Sequence, residues 1–162
     1  MLHPSQDLGG HIVNKDACSS ANSGAPSLIT AAAGLDNVEV DGQTLDRYIA
    51  ASVAMADSSV ITVAYLAALT ATETLSLRIR YQDSANGSSW NTAVELTAAA
   101  VVATGAGGGS NERGALEASL NLRGLERYVR FSITADLSAS GTDTCTYHAV
   151  AAFGGYDQVP RA

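Results

Sequence analysis

Residues Glu73 to Trp90 read ETLSLRIRYQDSANGSSW. Within them Leu75, Leu77, Ile79 and Tyr81 alternate with Ser76, Arg78, Arg80 and Gln82. Successive side chains of a strand point to opposite faces, so this alternation predicts a half-buried strand, apolar inward and polar outward. The strand stops at Asp83-Ser84-Ala85-Asn86-Gly87-Ser88-Ser89. Asn-Gly supplies the positive φ of a tight reversal, and the flanking Ser and Asp residues solvate it. A β-hairpin or a related corner is expected here, with Trp90 opening the next apolar run.

The same grammar spreads outward. Leu116, Ala118, Leu120 and Leu122 alternate with Glu117, Ser119 and Asn121. Val129, Phe131 and Ile133 alternate with Tyr128, Arg130, Ser132 and Thr134, and Cys145, Tyr147, Ala149, Ala151 and Phe153 share one face of a final strand. Upstream, Val60, Thr62 and Ala64 alternate with Ile61, Val63 and Tyr65. Their β-branched content predicts a strand buried on both faces. Trp90 to Leu96 and Ala99 to Ala103 form two further expected strands, and Gly105 to Asn111 a flexible loop. Residues 35–48 read as a short strand, a turn at Asp41-Gly42 and a second short segment. About seven or eight strands separated by polar turns, with no amphipathic helix, predict an all-β fold, an antiparallel β-sandwich or jelly roll. Residues 1–34 hold no sustained period and read as an extended N-terminal arm. Residues 35–153 are the sandwich domain and 154–162 a C-terminal tail.

Composition narrows the functional classes. The chain has 162 residues, a net charge of −7 and 6% aromatic residues. Much of its apolar fraction is Ala and Val, so a thin core of small side chains is expected. Phosphate binding needs clustered Lys and Arg. Here Lys15 is the single lysine and the arginines are scattered, which argues against nucleic acid or an anionic membrane as partner. No apolar run approaches the roughly 20 residues of a membrane helix. MLHPSQDLGGH lacks the basic start and apolar core of a signal peptide, so synthesis and retention in a cytoplasm are expected. Cys18 and Cys145 make no disulfide framework and are expected as free thiols.

The sequence carries no catalytic signature. His3 and His11 lie in the arm and His148 on the polar face of the last strand. There is no Gly-x-Ser-x-Gly elbow, His-Glu-x-x-His helix or Cys-x-x-Cys pair. Asn37, Glu39, Asp41 and Gly42 partly match a calcium loop, but Tyr48 stands where the closing Glu belongs. The glycines at 105–109 are followed by no Lys-Ser or Lys-Thr, and a strand follows where a phosphate loop needs a helix. No enzyme activity, cofactor or metal is expected. Arg78 and Arg80 share one strand face, which Arg130 extends. That face is either solvated and guards against edge pairing, or is a contact surface for a partner's carboxylates.

Three stretches carry a family resemblance: Asp41-Gly42-Gln43-Thr44-Leu45-Asp46-Arg47, Tyr81 to Trp90 (YQDSANGSSW), and Arg127-Tyr128-Val129-Arg130 followed by Asp136 to Thr144 (DLSASGTDT). With Gly154-Gly155 and Pro160, residues 35–160 resemble a family of small virion structural proteins of tailed bacteriophages and prophages. The resemblance implies a capsid decoration, or cement, protein on the outer surface of the virion head, assembled in the host cytoplasm. It implies the major capsid protein as partner and a homotrimer as the oligomer. The candidate partner-binding residues are His3, His11 and Lys15 in the arm, Arg78, Arg80 and Arg130 on the sheet, and Tyr156 and Arg161 in the tail. The alternatives are a phage tail component and a carbohydrate-binding module using Trp90, Tyr81 and Tyr128 as an aromatic platform, although Trp90 is expected in the core.

Overall fold

The computed structural model describes residues 13–17, 27–30, 36–49, 54–139 and 141–155. The described residues form strands and connections, with no helix. Four short strands come first: β1 (Val13–Asp16), β2 (Ser27–Thr30), β3 (Val38–Asp41) and β4 (Leu45–Asp46). A small two-stranded sheet follows, β5 (Tyr48–Ile49) with β6 (Ala54–Met55). The long strands are β7 (Ser58–Leu69), β8 (Thr74–Ser84), β9 (Val94–Thr104), β10 (Ser110–Asn121), β11 (Tyr128–Leu137) and β12 (Thr144–Gly154).

They build two antiparallel sheets packed as a β-sandwich. The first runs β1-β12-β7-β10, with β2 sharing the β12 edge beside β1. The second runs β3-β11-β8-β9, with β4 beside β3 on the β11 edge. The chain changes sheet at the β7–β8, β9–β10, β10–β11 and β11–β12 connections. Each sheet has one face that water must not reach, and each supplies the cover for the other.

The inner faces follow the predicted alternation. Leu75, Leu77 and Ile79 of β8, Val129, Phe131 and Ile133 of β11, and Cys145, Tyr147, Ala149, Ala151 and Phe153 of β12 are all buried. Ile61 and Val63 of β7 lie beside the β12 residues in the first sheet and face those of β8 and β11 in the second. Full burial of a Leu, Ile or Phe side chain is worth about 1.5–3 kcal/mol, so this strip drives the two sheets together. Three aromatic residues, Tyr147, Phe131 and Phe153, are among its largest members, and the core is less thin than composition implied.

Several expectations are corrected. The outer face of β7 is open: Val60 is 40% and Leu66 54% exposed. β-branched residues suit a pleated surface whether or not it is covered. The Asp41-Gly42 step makes no reversal. β3 pairs with Ser132 to Ala135 and β4 with Tyr128 and Val129, both along the same edge of β11. Residues 42–44 therefore oppose only residues 130 and 131, which is a bulge in one interrupted strand. A Cβ on Gly42 would lie 2.2 Å from the Ala17 carbonyl oxygen and 2.7 Å from that of Phe131. Glycine is required there for close approach. The two strands expected over 90–103 are one, β9, paired with β8 through several register shifts. Within the stretch expected as an arm, β1 and β2 belong to the first sheet.

The predicted reversal after β8 does join neighbouring antiparallel strands, by a longer loop than Asn-Gly alone needs. The Asn86 side-chain carbonyl accepts from the Ser88 and Ser89 amides at 2.9 and 2.8 Å. The buried Ser84 hydroxyl accepts from the Gly87 amide at 2.9 Å and donates to the Ser89 carbonyl at 2.6 Å. Gly87 takes the expected positive φ, +74°.

Arg47 ties the lower loops to this frame. It is 3% exposed, and its guanidinium spends its donors on backbone carbonyls. Nε and Nη2 donate to Ala56 at 3.2 and 2.8 Å, and Nη1 donates to Leu125 and, at 3.0 Å, to Glu126. Burial pulls its pKa down while the charges of Asp57 and Asp83 oppose that shift; an arginine starts high enough to stay charged. Arg47→Met is expected to lower the unfolding free energy by about 2–3 kcal/mol, because each buried acceptor left without a donor costs about 1–3 kcal/mol. Urea denaturation followed by circular dichroism measures this. Loss below about 0.5 kcal/mol, the scale of ordinary surface changes, would contradict the role.

Cys145 is a free, fully buried thiol whose pKa is pushed up to about 12 by burial. Only thiolate reacts with alkylating agents. At pH 8, peptide-resolved mass spectrometry should find Cys145 unmodified by iodoacetamide in the folded protein and modified in denaturant. Rapid native labelling would contradict this packing.

Candidate interaction surfaces

The second sheet turns a charged face outward. β8 contributes Arg78, Arg80 and Gln82; β11 contributes Arg130, Ser132 and Thr134; β3 contributes Glu39 and Asp41. The Glu39 carboxylate accepts from Arg80 Nη1 at 2.9 Å and Arg78 Nη2 at 3.3 Å. Arg78 Nη2 also donates to Thr134 Oγ1 at 3.1 Å, and Arg80 Nη2 to the Ala93 carbonyl at 3.0 Å. Arg130 pairs with Asp41 at 3.0 Å and donates twice to Gln82 Oε1, at 2.9 and 2.7 Å. Ser132 Oγ completes the ladder with Asp41 Oδ1 at 2.7 Å. Arg78, Arg80 and Arg130 come together on one face, as the alternation predicted. They are engaged within the chain, where they fasten the β3 edge.

The signal for this ladder was in the sequence. Glu39 and Asp41 alternate at the strand period, matching Arg78 and Arg80 in spacing and opposite in sign. Reading Asp41 as a turn residue hid its role. A single exposed ion pair contributes about 0–1 kcal/mol, and a network holds more.

The aromatic candidates divide between faces. Tyr81 packs against the core beside Phe131, its register partner. Trp90 is half-buried outside the core, and the Arg130 guanidinium lies 4.5 Å from its ring centroid. A cation over the indole face is the reason Trp90 sits on the ladder and corrects its expected place inside. Tyr128 is also outward, with the Arg127 guanidinium 5.0 Å from its ring and 5.0 Å from that of Tyr48. Arg127 grips Asp46 with two bonds, of 3.0 and 2.7 Å. That hydrogen bonding holds the Asp46 carboxyl below its ordinary range, against the opposing pull of desolvation.

Lys15 is half-buried and does not stand free. Its ammonium donates to the Asp46 carbonyl and lies 5.7 Å from the Phe153 ring centroid, joining β1 to the opposite sheet. His148 is half-buried on the outer face of the first sheet, opposite Ala64 in register. His3, His11, Cys18, Tyr156 and Arg161 lie outside the described residues.

The outer face of the first sheet differs in chemistry from the ladder. Val60, Thr62, Ala64, Leu66 and Ala68 of β7 run down its middle, flanked by Thr146, Val150 and Ala152 of β12 and Ala115 of β10. This is a surface of small and branched side chains, with little charge. At one end a shallow cleft of about 320 Å³ lies between Leu69-Thr70, Gly109 to Asn111 and Thr142-Asp143. Asp143 is buried there; Oδ1 accepts from the Thr70 amide at 3.0 Å, and Oδ2 has no partner among the described residues. Among those residues no group of three or more His, Cys, Asp or Glu side chains is placed to hold a metal ion.

Along one side of the sandwich run two edge strands, β9 and β10, one from each sheet. β9 exposes Val94 at 47% and Val101 at 60%. Tyr65 braces this side: its hydroxyl donates to the Val102 carbonyl of β9 at 2.6 Å.

The sequence matches no protein-family model and no curated protein. Among solved structures the fold is similar to a chain of infectious bursal disease virus, Gt strain. The TM-score is 0.50 at 10% identity, over 90% of this chain and 33% of that one. A VP2 protein of infectious bursal disease virus, in derived T=1 particles, aligns with TM-score 0.38 and 14% identity over 81% of this chain and 31% of that one. A CBM22-1-GH10 segment of a Clostridium thermocellum xylanase aligns with TM-score 0.41 and 14% identity over 96% of this chain and 27% of that one. The chain thus spans about a third or less of the solved chains it matches, and the likeness is one of β-sandwich fold.

Proposed function

We propose that this chain is a non-enzymatic virion structural protein: a decoration protein on the outer surface of a tailed-phage capsid that bridges capsomers and stabilises the head. Its partner in this reading is the major capsid protein, and it self-associates as a trimer. The observation that carries the reading is the unfinished outside of the sandwich. A sheet face that is mostly apolar along β7, with Val60 and Leu66 exposed, and two edge strands each hydrogen-bonded on one side only among the described residues, lie outside a core that is already closed. Surfaces of this kind are contact surfaces in proteins that work by assembly. Similarity of fold to viral chains supports it, as does the resemblance of the turn and strand motifs to tailed-phage virion proteins. The acidic balance, −7, suits an outer surface better than a lining against packaged DNA.

Bridging explains how modest contacts suffice. A symmetric oligomer on a seam holds several capsid subunits at once, and linked contacts gain about 10²–10⁴ over a single one. The stiff sandwich sets the distance between contacts.

Purified chain mixed with heads stripped of it should rebind at fixed stoichiometry and raise the temperature at which the heads release DNA. Removing residues 1–12, which spares β1, should weaken rebinding at least about tenfold with the melting curve of the isolated protein unchanged. Chain that never occupies heads would overturn the decoration reading and leave a tail component as the phage alternative.

A carbohydrate-binding module is the second reading, favoured by the outward placement of Trp90 and Tyr128. Trp90 is the single tryptophan, so its fluorescence reports directly. Titration with soluble oligosaccharides is expected to leave the emission unchanged. A saturable shift abolished by Trp90→Ala would move the assignment to glycan binding.

A further inference from the structure

The two edge strands are not equally protected. β9 pairs with β8 through register shifts at Leu75/Ser76, Leu77/Ile79 and Ile79/Arg80. Bulges twist an edge and spoil it as a template. β10 pairs with β7 one residue to one residue, without a shift, from Ser110↔Leu69 to Asn121↔Ser58. It contains no proline and no lysine. No described strand is hydrogen-bonded to its other side, although β9 lies near it at the corner of the sandwich. A long, regular, open edge is the geometry that accepts another strand.

The charges on β10 specify which strand. Arg113 and Glu117 are exposed on the outer face, on either side of Ala115. Arg113 forms no ion pair with another described residue, and Glu117 accepts only from Thr62 Oγ1 at 3.0 Å. Antiparallel pairing of β10 with a second β10 about Ala115 sets Arg113 opposite Glu117, and by symmetry Glu117 opposite Arg113. The same register sets Asn111 opposite Ser119, polar against polar, and Ala115 opposite Ala115, small against small. One residue of slip breaks both pairs: it sets Arg113 opposite Ala118 or Leu116, and Glu117 opposite Gly114 or the like-charged Glu112. Inside, Gly114 makes room for the Tyr65 ring, whose hydroxyl would lie 2.5 Å from a Cβ built there.

We infer that β10 is a two-fold self-association edge: two copies of this chain join their first sheets, β10 to β10, about Ala115 into one continuous antiparallel sheet. A two-fold contact cannot close a ring of three, so the β10 edge is a contact separate from those of the proposed trimer, and the inference stands on β10 alone. It applies to a free dimer and to contacts between larger assemblies alike, because a two-fold contact uses the same patch on both partners.

The test is sedimentation of the full chain with reversed charges. Arg113→Glu and Glu117→Arg should each raise the dimer dissociation constant at least about tenfold, since each reversal turns two attractive cross-strand pairs repulsive. The double variant R113E/E117R should return it to within about threefold of the parent. In a Cys18→Ser background, Ala115→Cys should give a disulfide-linked dimer on mild oxidation, because facing residues of an antiparallel pair have Cα atoms about 4.5–5.5 Å apart, within disulfide reach. Ser119→Cys should not, since its facing residue is Asn111. Melting curves of the variants check that each is folded. A parent that stays monomeric at all concentrations overturns the inference. So does an assembly indifferent to both reversals, or a double variant as weak as either single one. Loss of head binding with the β10 dimer intact would instead count against the decoration reading alone.

Discussion

Everything in this molecule hangs on the contact between the inner faces of two sheets. A sheet with one apolar face is unstable alone in water, and each sheet here covers the other. The contact is made by alternate residues of four strands, β7 and β12 against β8 and β11. Because the side-chain period is two, a one-residue slip would turn Arg78 and Arg80 of β8, Arg130 and Ser132 of β11, or Thr146 and His148 of β12 into the core. The alternation therefore fixes register as well as fold. The short strands β1 to β4 add the outer borders, and Arg47 and Lys15 fasten those borders by donating to backbone carbonyls. Both solve the same problem: a buried carbonyl at a strand end needs a donor, and a long cationic side chain reaches it from another element.

How much of this was legible in the sequence depends on which force decided each position. Where burial alone decided, the reading held: Leu75, Leu77 and Ile79 face inward, as do alternate residues from Cys145 to Phe153. Where two forces competed, it failed. Gly42 looked like a turn glycine, but it takes no positive φ; it is glycine because two backbones pass too close for a Cβ. Trp90 looked like core, but its ring lies on the outer face with the Arg130 guanidinium 4.5 Å from its centroid. Val60 to Leu66 looked doubly buried because β-branched residues are equally at home on an exposed pleat. Arg47 left no trace in the pattern, since a buried arginine satisfied by carbonyls needs no acidic residue nearby in sequence.

The candidate surfaces divide along the same line. The arginine face was visible as a face, and its partners Glu39 and Asp41 were visible as matching charges at the same period. What could not be read was that the two belonged together, because β3 reaches β11 from far along the chain. The apolar outer face of the first sheet was invisible as a surface, since nothing in a single sequence distinguishes a strand covered by its own chain from one left for another to cover.

The two outer faces then give the molecule a direction. On the second sheet every arginine of the ladder has its carboxylate or amide within the chain, and among the described residues only Arg78 Nε is left without a partner, so that face gains little from a neighbour. On the first sheet the small side chains of β7 and the regular edge of β10 are unfinished in the same place, and a single neighbour along β10 would extend both at once. A surface that completes itself on one side and remains open on the other favours assembly in one orientation. That orientation is set by strand geometry, which is stiff, and favoured by Arg113 and Glu117, which face one another in the register centred on Ala115. In such a design the body of the sandwich contributes rigidity and the edge contributes choice.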